Sequence, residues 1–159
     1  MNIDESIKIY GEVERIIEYK NSSRKDILVF KNTILTTGRQ AMARTLGNFV
    51  GDTPQFFITR MIFGDGGTQD GAKKYVNEGR NGLFGVTMLT KPVIASLDPD
   101  ITTKVIFTSV INFDEANDVA LNEMALQMAS GDLYSMVTFN DLNKSSEMQI
   151  TFNWRLNFV

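Results

Sequence analysis

The sequence predicts a mainly β fold, an antiparallel β-sandwich of about eight strands with one short α-helix. Three observations predict it. From Met148 to Phe158 every second residue is large and apolar (Met148, Ile150, Phe152, Trp154, Leu156, Phe158) and every residue between them is polar. Side chains of a strand point alternately to opposite faces, so this is a long strand with one buried face. The runs before it alternate in the same way across short polar connections, the arrangement of sandwiches and barrels. Only the stretch after Thr37 changes to helical spacing.

In chain order, Ile7, Ile9, Val13, Ile17 and Tyr19 share one parity, interrupted at Gly11 and Arg15. They predict a strand with a bulge at Gly11. Asn21 to Lys25 is a polar turn, and Ile27 to Phe30 returns as the second arm of a hairpin. Thr37 followed by Gln40 forms a capping box. Ala41, Met42, Thr45, Leu46 and Phe49 lie on one helical face, and Gly47 supplies the stop, so a helix is expected over about residues 38–46. Phe56 to Phe63 has high β propensity and runs into Gly64-Asp65-Gly66-Gly67-Thr68. Those glycines suit a tight turn with positive φ. On to Gly82 the chain stays polar and glycine-rich, a long loop 64–82 without a period; such loops carry function or move. Pro92 makes the run from Val86 to Ala95 an edge strand or two short strands. Lys104 to Phe113 alternates, as do Ala120, Met124, Leu126 and Met128. Leu133, Val137 and Phe139 share a face opposite Tyr134 and Met136, and Asn140 to Glu147 is a polar loop.

At 159 residues the chain suits one domain, 1–159, with an N-terminal arm 1–10 and the loop 64–82 as its irregular parts. A net charge of −3 gives no electrostatic case for nucleic acid. The absence of cysteine and histidine removes thiolate and histidine nucleophile machinery and their metal sites. The acidic N-terminus is no signal peptide, and no apolar run reaches membrane-spanning length.

The candidate sites divide accordingly. Gly64-Asp65-Gly66-Gly67-Thr68 lacks the Lys and the spacing of a phosphate loop, and too few ligands follow for calcium. Asp98, Asp100, Asp114, Glu115 and Asp118 are carboxylates of the kind glycosidases pair. At loop ends with no histidine to assist, they do not make an enzyme. Lys73, Lys74 and Arg80, with Tyr75, form a basic patch that suits a solvated loop or a protein contact better than nucleic acid in so acidic a chain. Glu123 has the parity opposite to Met124, which turns it to solvent; the other reading is a fixed hydrogen bond or ion pair across a sheet or subunit contact. Trp154 and the methionines Met124, Met128, Met136 and Met148 read as core, or as subunit interface. The length of the closing strand suits one that reaches a sheet edge, with Trp154 to Phe158 covered by a neighbouring subunit.

Several motifs stand in order: Asn32-Thr33-Ile34-Leu35-Thr36-Thr37-Gly38-Arg39, Phe63-Gly64-Asp65-Gly66-Gly67-Thr68, Asp114-Glu115-Ala116-Asn117, Asn122-Glu123-Met124-Ala125-Leu126, and Ile150-Thr151-Phe152-Asn153-Trp154. This order resembles a broad group of tailed-bacteriophage structural proteins of the tail, baseplate or fibre-attachment region. The likeness covers about residues 10–158. Ala125 departs from it, standing where that group commonly has glycine. The resemblance implies a non-enzymatic virion component without cofactors, made in the host cytoplasm, placed in tail, baseplate or neck. It implies packing in rings or trimers against copies of itself and other virion proteins, and no membrane, nucleic acid or small-molecule substrate. Contacts are expected from the arm 1–10, from Asp65, Gly66, Lys73, Lys74, Tyr75 and Arg80, and from Trp154 and Phe158. The second reading is a receptor- or carbohydrate-binding module of a tail fibre.

Overall fold

β1 (Ile9–Tyr19) and β2 (Lys25–Ile34) form the expected hairpin, turning at Asn21 with φ 54°. The computed structural model describes residues 8–49, 51 and 55–159; residues 1–7 of the expected N-terminal arm lie outside them. β1 holds unbroken register through Gly11 with β2 on one side and β11 (Met148–Phe158) on the other. The expected bulge is therefore absent. Gly11 is needed because a Cβ there would run into the side chain of Asn32, its cross-strand partner.

The helix α1 (Thr36–Leu46) starts two residues earlier than expected and without a capping box. Leu35 is the extended N-cap residue, and Thr37 Oγ1 donates instead to the Leu133 carbonyl. Gly38 packs against the Tyr134 backbone, where no side chain fits. Ala41 is buried and Met42 half-buried, but Leu46 and Phe49 stand exposed. Only the first half of the apolar stripe is used on the sheet. Gly47 ends the helix at φ −82°, and Asn48 makes the left-handed turn.

The remaining strands are β3 (Ile58–Gly64), β4 (Thr68–Gln69), β5 (Ala72–Lys73), β6 (Thr87–Pro92), β7 (Ile94–Leu97), β8 (Lys104–Ile111), β9 (Ala120–Met128) and β10 (Leu133–Asn143). Among the described residues nine strands form one antiparallel sheet in the order β6-β3-β9-β10-β2-β1-β11-β8-β7, and β4 with β5 makes a separate hairpin. The mainly β, sandwich-like fold is as expected, with more and shorter strands. The sheet is carried around into a nearly closed barrel at two places. β2 pairs β1 over Lys25 to Asn32 and then β10 at Thr33 and Ile34. β6 pairs β3 and β7 pairs β8, and only Val93 separates them. Pro92, which lacks an N–H, marks that break.

The core fills the barrel. Val13, Ile17, Phe63, Ile111, Phe152 and Trp154 belong to it, and the Phe63 and Phe152 rings sit 5.1 Å apart. β11 lies between β1 and β8 and reaches no sheet edge. Trp154 is fully buried within the chain, which assigns it to the core and not to a contact between subunits. Phe158 is half-buried at one end. β10 departs from simple parity through an irregularity between Leu133 and Ser135. Tyr134 therefore joins Val137 and Phe139 in the main core, while Leu133 joins Met136 in a second cluster. That cluster, with Leu35, Ile62, Val76 and Ala125, lies on the outer face of β3, β9 and β10.

Candidate interaction surface and the polar staple beneath it

The segment from Gly64 to Gly85 covers the outer cluster. It is no featureless loop. Asp70 (φ 51°) and Gly71 (φ 77°) turn the β4–β5 hairpin, the left-handed pair of a two-residue turn. Val76, Leu83 and Phe84 pack down onto the outer cluster, and the Thr36 N–H reaches the Glu78 carbonyl at 2.8 Å.

Two adjacent side chains of β9 hold this segment from below. Glu123 is fully buried and accepts three backbone N–H groups: Gly66 at 3.0 Å and Gly85 at 2.9 Å on Oε1, and Phe84 at 2.7 Å on Oε2. Asn122 accepts the Gly67 N–H at 2.6 Å and donates to the Asp65 carbonyl, Thr68 Oγ1 and Asp141 Oδ1. Glu123 thus does not face solvent; its outward parity is correct, but the 64–85 segment lies over it. Hydrogen bonds from Asn122 and then Thr68 hold the Asp141 carboxyl below its ordinary range. The glycines of 64–68 are explained by close approach: none of them has a positive φ. A Cβ on Gly64 would lie 2.6 Å from Glu123 Oε1, and one on Gly66 would enter the Gly85 backbone.

The acidic connection after β8 is fixed in a similar way. Lys144 is buried, its Nζ donating to Asn117 Oδ1 at 2.9 Å and the Ser145 carbonyl at 2.8 Å; desolvation pulls its pKa down. Glu115 meets Lys91 Nζ at 2.7 Å through both oxygens and takes the Asn112 N–H. Lys91 first, then Asn112, holds that carboxyl low. Asp98 accepts the N–H groups of Asp100 and Ile101, which lower its pKa. These carboxylates brace loops.

The expected contact residues separate into two sets. Lys73, Lys74 and Tyr75 come together on one face, beside Lys31, Thr33 and Thr138, around a cleft of about 210 Å³. Tyr75 is 83% exposed. Asp65, Gly66 and Arg80 belong to the staple instead. Arg80 turns back over the Phe84 ring at 3.6 Å and donates to the Gly82 and Leu83 carbonyls. Lys31 and Thr138 escaped sequence reasoning, because only the splaying of β2 from β10 brings them to the cleft. A second, apolar surface lies at one barrel end, where Phe56, Tyr134 and Phe158 line two adjoining depressions of about 290 Å³ each, beside Met42, Leu46 and Phe57. No protein-family model, no curated protein and no solved structure matches the chain.

Proposed function

We propose that the chain is a non-enzymatic structural component of a tailed-bacteriophage particle, in the tail, baseplate or neck, working through contacts with copies of itself and other virion proteins. One observation supports this reading best. Asp65, Gly66, Gly67, Asn122 and Glu123, which carry much of the motif order, converge on one staple whose hydrogen bonds are spent inside the chain. A motif used in this way shapes a surface and does no chemistry. Exposed side chains suited to protein contacts stand on that surface at Tyr75, and elsewhere on the chain at Ile94 and Phe49. The test is mass spectrometry of purified particles, with imaging of particles made without the protein. The chain should be present in stoichiometric amount, and its loss should leave particles with an incomplete tail or neck. Intact infectious particles that lack the chain would overturn the proposal. Specific binding of the isolated protein to host cells or glycans would favour the receptor-binding reading instead.

A further inference from the structure

We infer that copies of this chain join edge to edge, the exposed edge of β7 in one copy adding to the exposed edge of β2 in the next. The inference deepens the assembly reading above and rests on it. Each edge can be located from the backbone. The Leu35 N–H donates to the Tyr134 carbonyl, so by two-residue steps the backbone groups of Lys31, Val29 and Ile27 face the same edge. β10 pairs that edge only at Thr33 and Ile34, and among the described residues no strand pairs the rest. On the other flank the Asp98 N–H bonds the Lys104 carbonyl of β8, while the Val93 N–H points the opposite way to Thr59. The backbone groups of Ala95 and Leu97 therefore face outward, with no strand of the described residues beyond them. The flanking side chains are apolar and uncovered: Ile27 is 61%, Val29 51%, Ile94 76% and Leu97 66% exposed. Natural proteins blunt or cover such edges unless they are used.

Direction and charge select the partner. β7, β11 and β2 run one way, and β8 and β1 the other. Successive copies placed in the same orientation then bring β7 and β2 together as a parallel pair. Such head-to-tail contacts build rings when the rotation closes and filaments when it does not. The parallel direction carries Asp100, just beyond β7, toward Lys31 and Lys73 at the far end of the β2 edge. Asp100, Lys31 and Lys73 are exposed and form no ion pair among the described residues. A β2-to-β2 contact does less well: centred on Leu28, the register that overlaps Ile27 to Val29 fully, it sets Lys25 against Lys31.

Sedimentation velocity of the full chain at low salt tests the contact. The protein should associate beyond the monomer as concentration rises. Lys31→Glu and Asp100→Lys should each weaken association by about tenfold or more, since like charges then meet. The double variant, or an equal mixture of the two single variants, should recover it. A monomer at every concentration overturns the contact and leaves incorporation into particles, measured separately, standing. Association that Lys31→Glu weakens and Asp100→Lys does not also overturn it, in favour of a β2-to-β2 dimer.

Discussion

Glu123 offers the sharpest test of how the surface segment is held. Glu123→Ala removes three hydrogen bonds at once, those from the Gly66, Phe84 and Gly85 N–H groups at 3.0, 2.7 and 2.9 Å. A hydrogen bond to a charged group is worth about 1.5–3 kcal/mol, and a stranded buried donor costs about 1–3 kcal/mol. These do not simply add, because the alanine variant also escapes the cost of taking a carboxyl group out of water. Breaking comparable buried polar pairings costs about 3–5 kcal/mol, and that is the loss expected here. Glu123→Gln should do less harm. Its amide oxygen can still accept from Gly66 and Gly85, but its NH2 group faces the Phe84 N–H, for a loss of about 1–3 kcal/mol. Urea unfolding followed by Trp154 fluorescence gives the global order: wild type, then Gln, then Ala. Hydrogen exchange gives the local one, with the Gly66, Phe84 and Gly85 amides losing protection in both variants. If both variants unfold within about 0.5 kcal/mol of wild type, the level of an ordinary surface change, the staple is not what holds the segment.

Two further expectations follow from burial. Tyr134 is buried, and desolvation pushes its phenol up to about 12 from 10.0. The neutral form is thus favoured by folding. This contribution is complete below pH 10.0 and is lost as pH rises toward 12, at about 1.4 kcal/mol per unit. Tyr134→Phe should flatten that alkaline fall in the urea midpoint, and an equal slope in both proteins would refute the assignment. Trp154 is fully enclosed, so Trp154→Ala should cost about 3–5 kcal/mol in the isolated chain, and unchanged monomer stability would return the residue to an interface.

The sequence was most legible where a single face is buried. The closing strand, the β1–β2 hairpin and the break at Pro92 all follow from period and from proline chemistry, and all stand in the structure. It was least legible where a second layer covers the sheet. β9 is buried on both faces, and parity alone then cannot tell Glu123 from a solvent-facing residue. The covering segment is itself mostly irregular, so it leaves no period. Its one local signal, Asp70-Gly71, is flanked by strands of only two residues. The irregularity in β10 reversed the face of Leu133, a change that no alternation count detects. Of the contact surface, Lys73, Lys74 and Tyr75 were visible as a local cluster. Lys31 joins them only through the path of β2, a long-range fact.

The pairing of β1 with β11 sets the timetable of synthesis. Glu14 and Asn153, bonded across these strands, are 139 residues apart in the chain. β1 leaves the ribosome long before β11, with Val13 and Ile17 awaiting that strand as cover. At about 5–20 residues per second the nascent hairpin waits for seconds, presenting an apolar face and an unpaired edge. The barrel can close only after β11 emerges and inserts between β1 and β8. Folding should therefore wait for β11 and be slow, as for folds dominated by distant contacts. A nascent chain stalled before Met148 should bind a holdase chaperone that a released chain carrying β11 no longer needs.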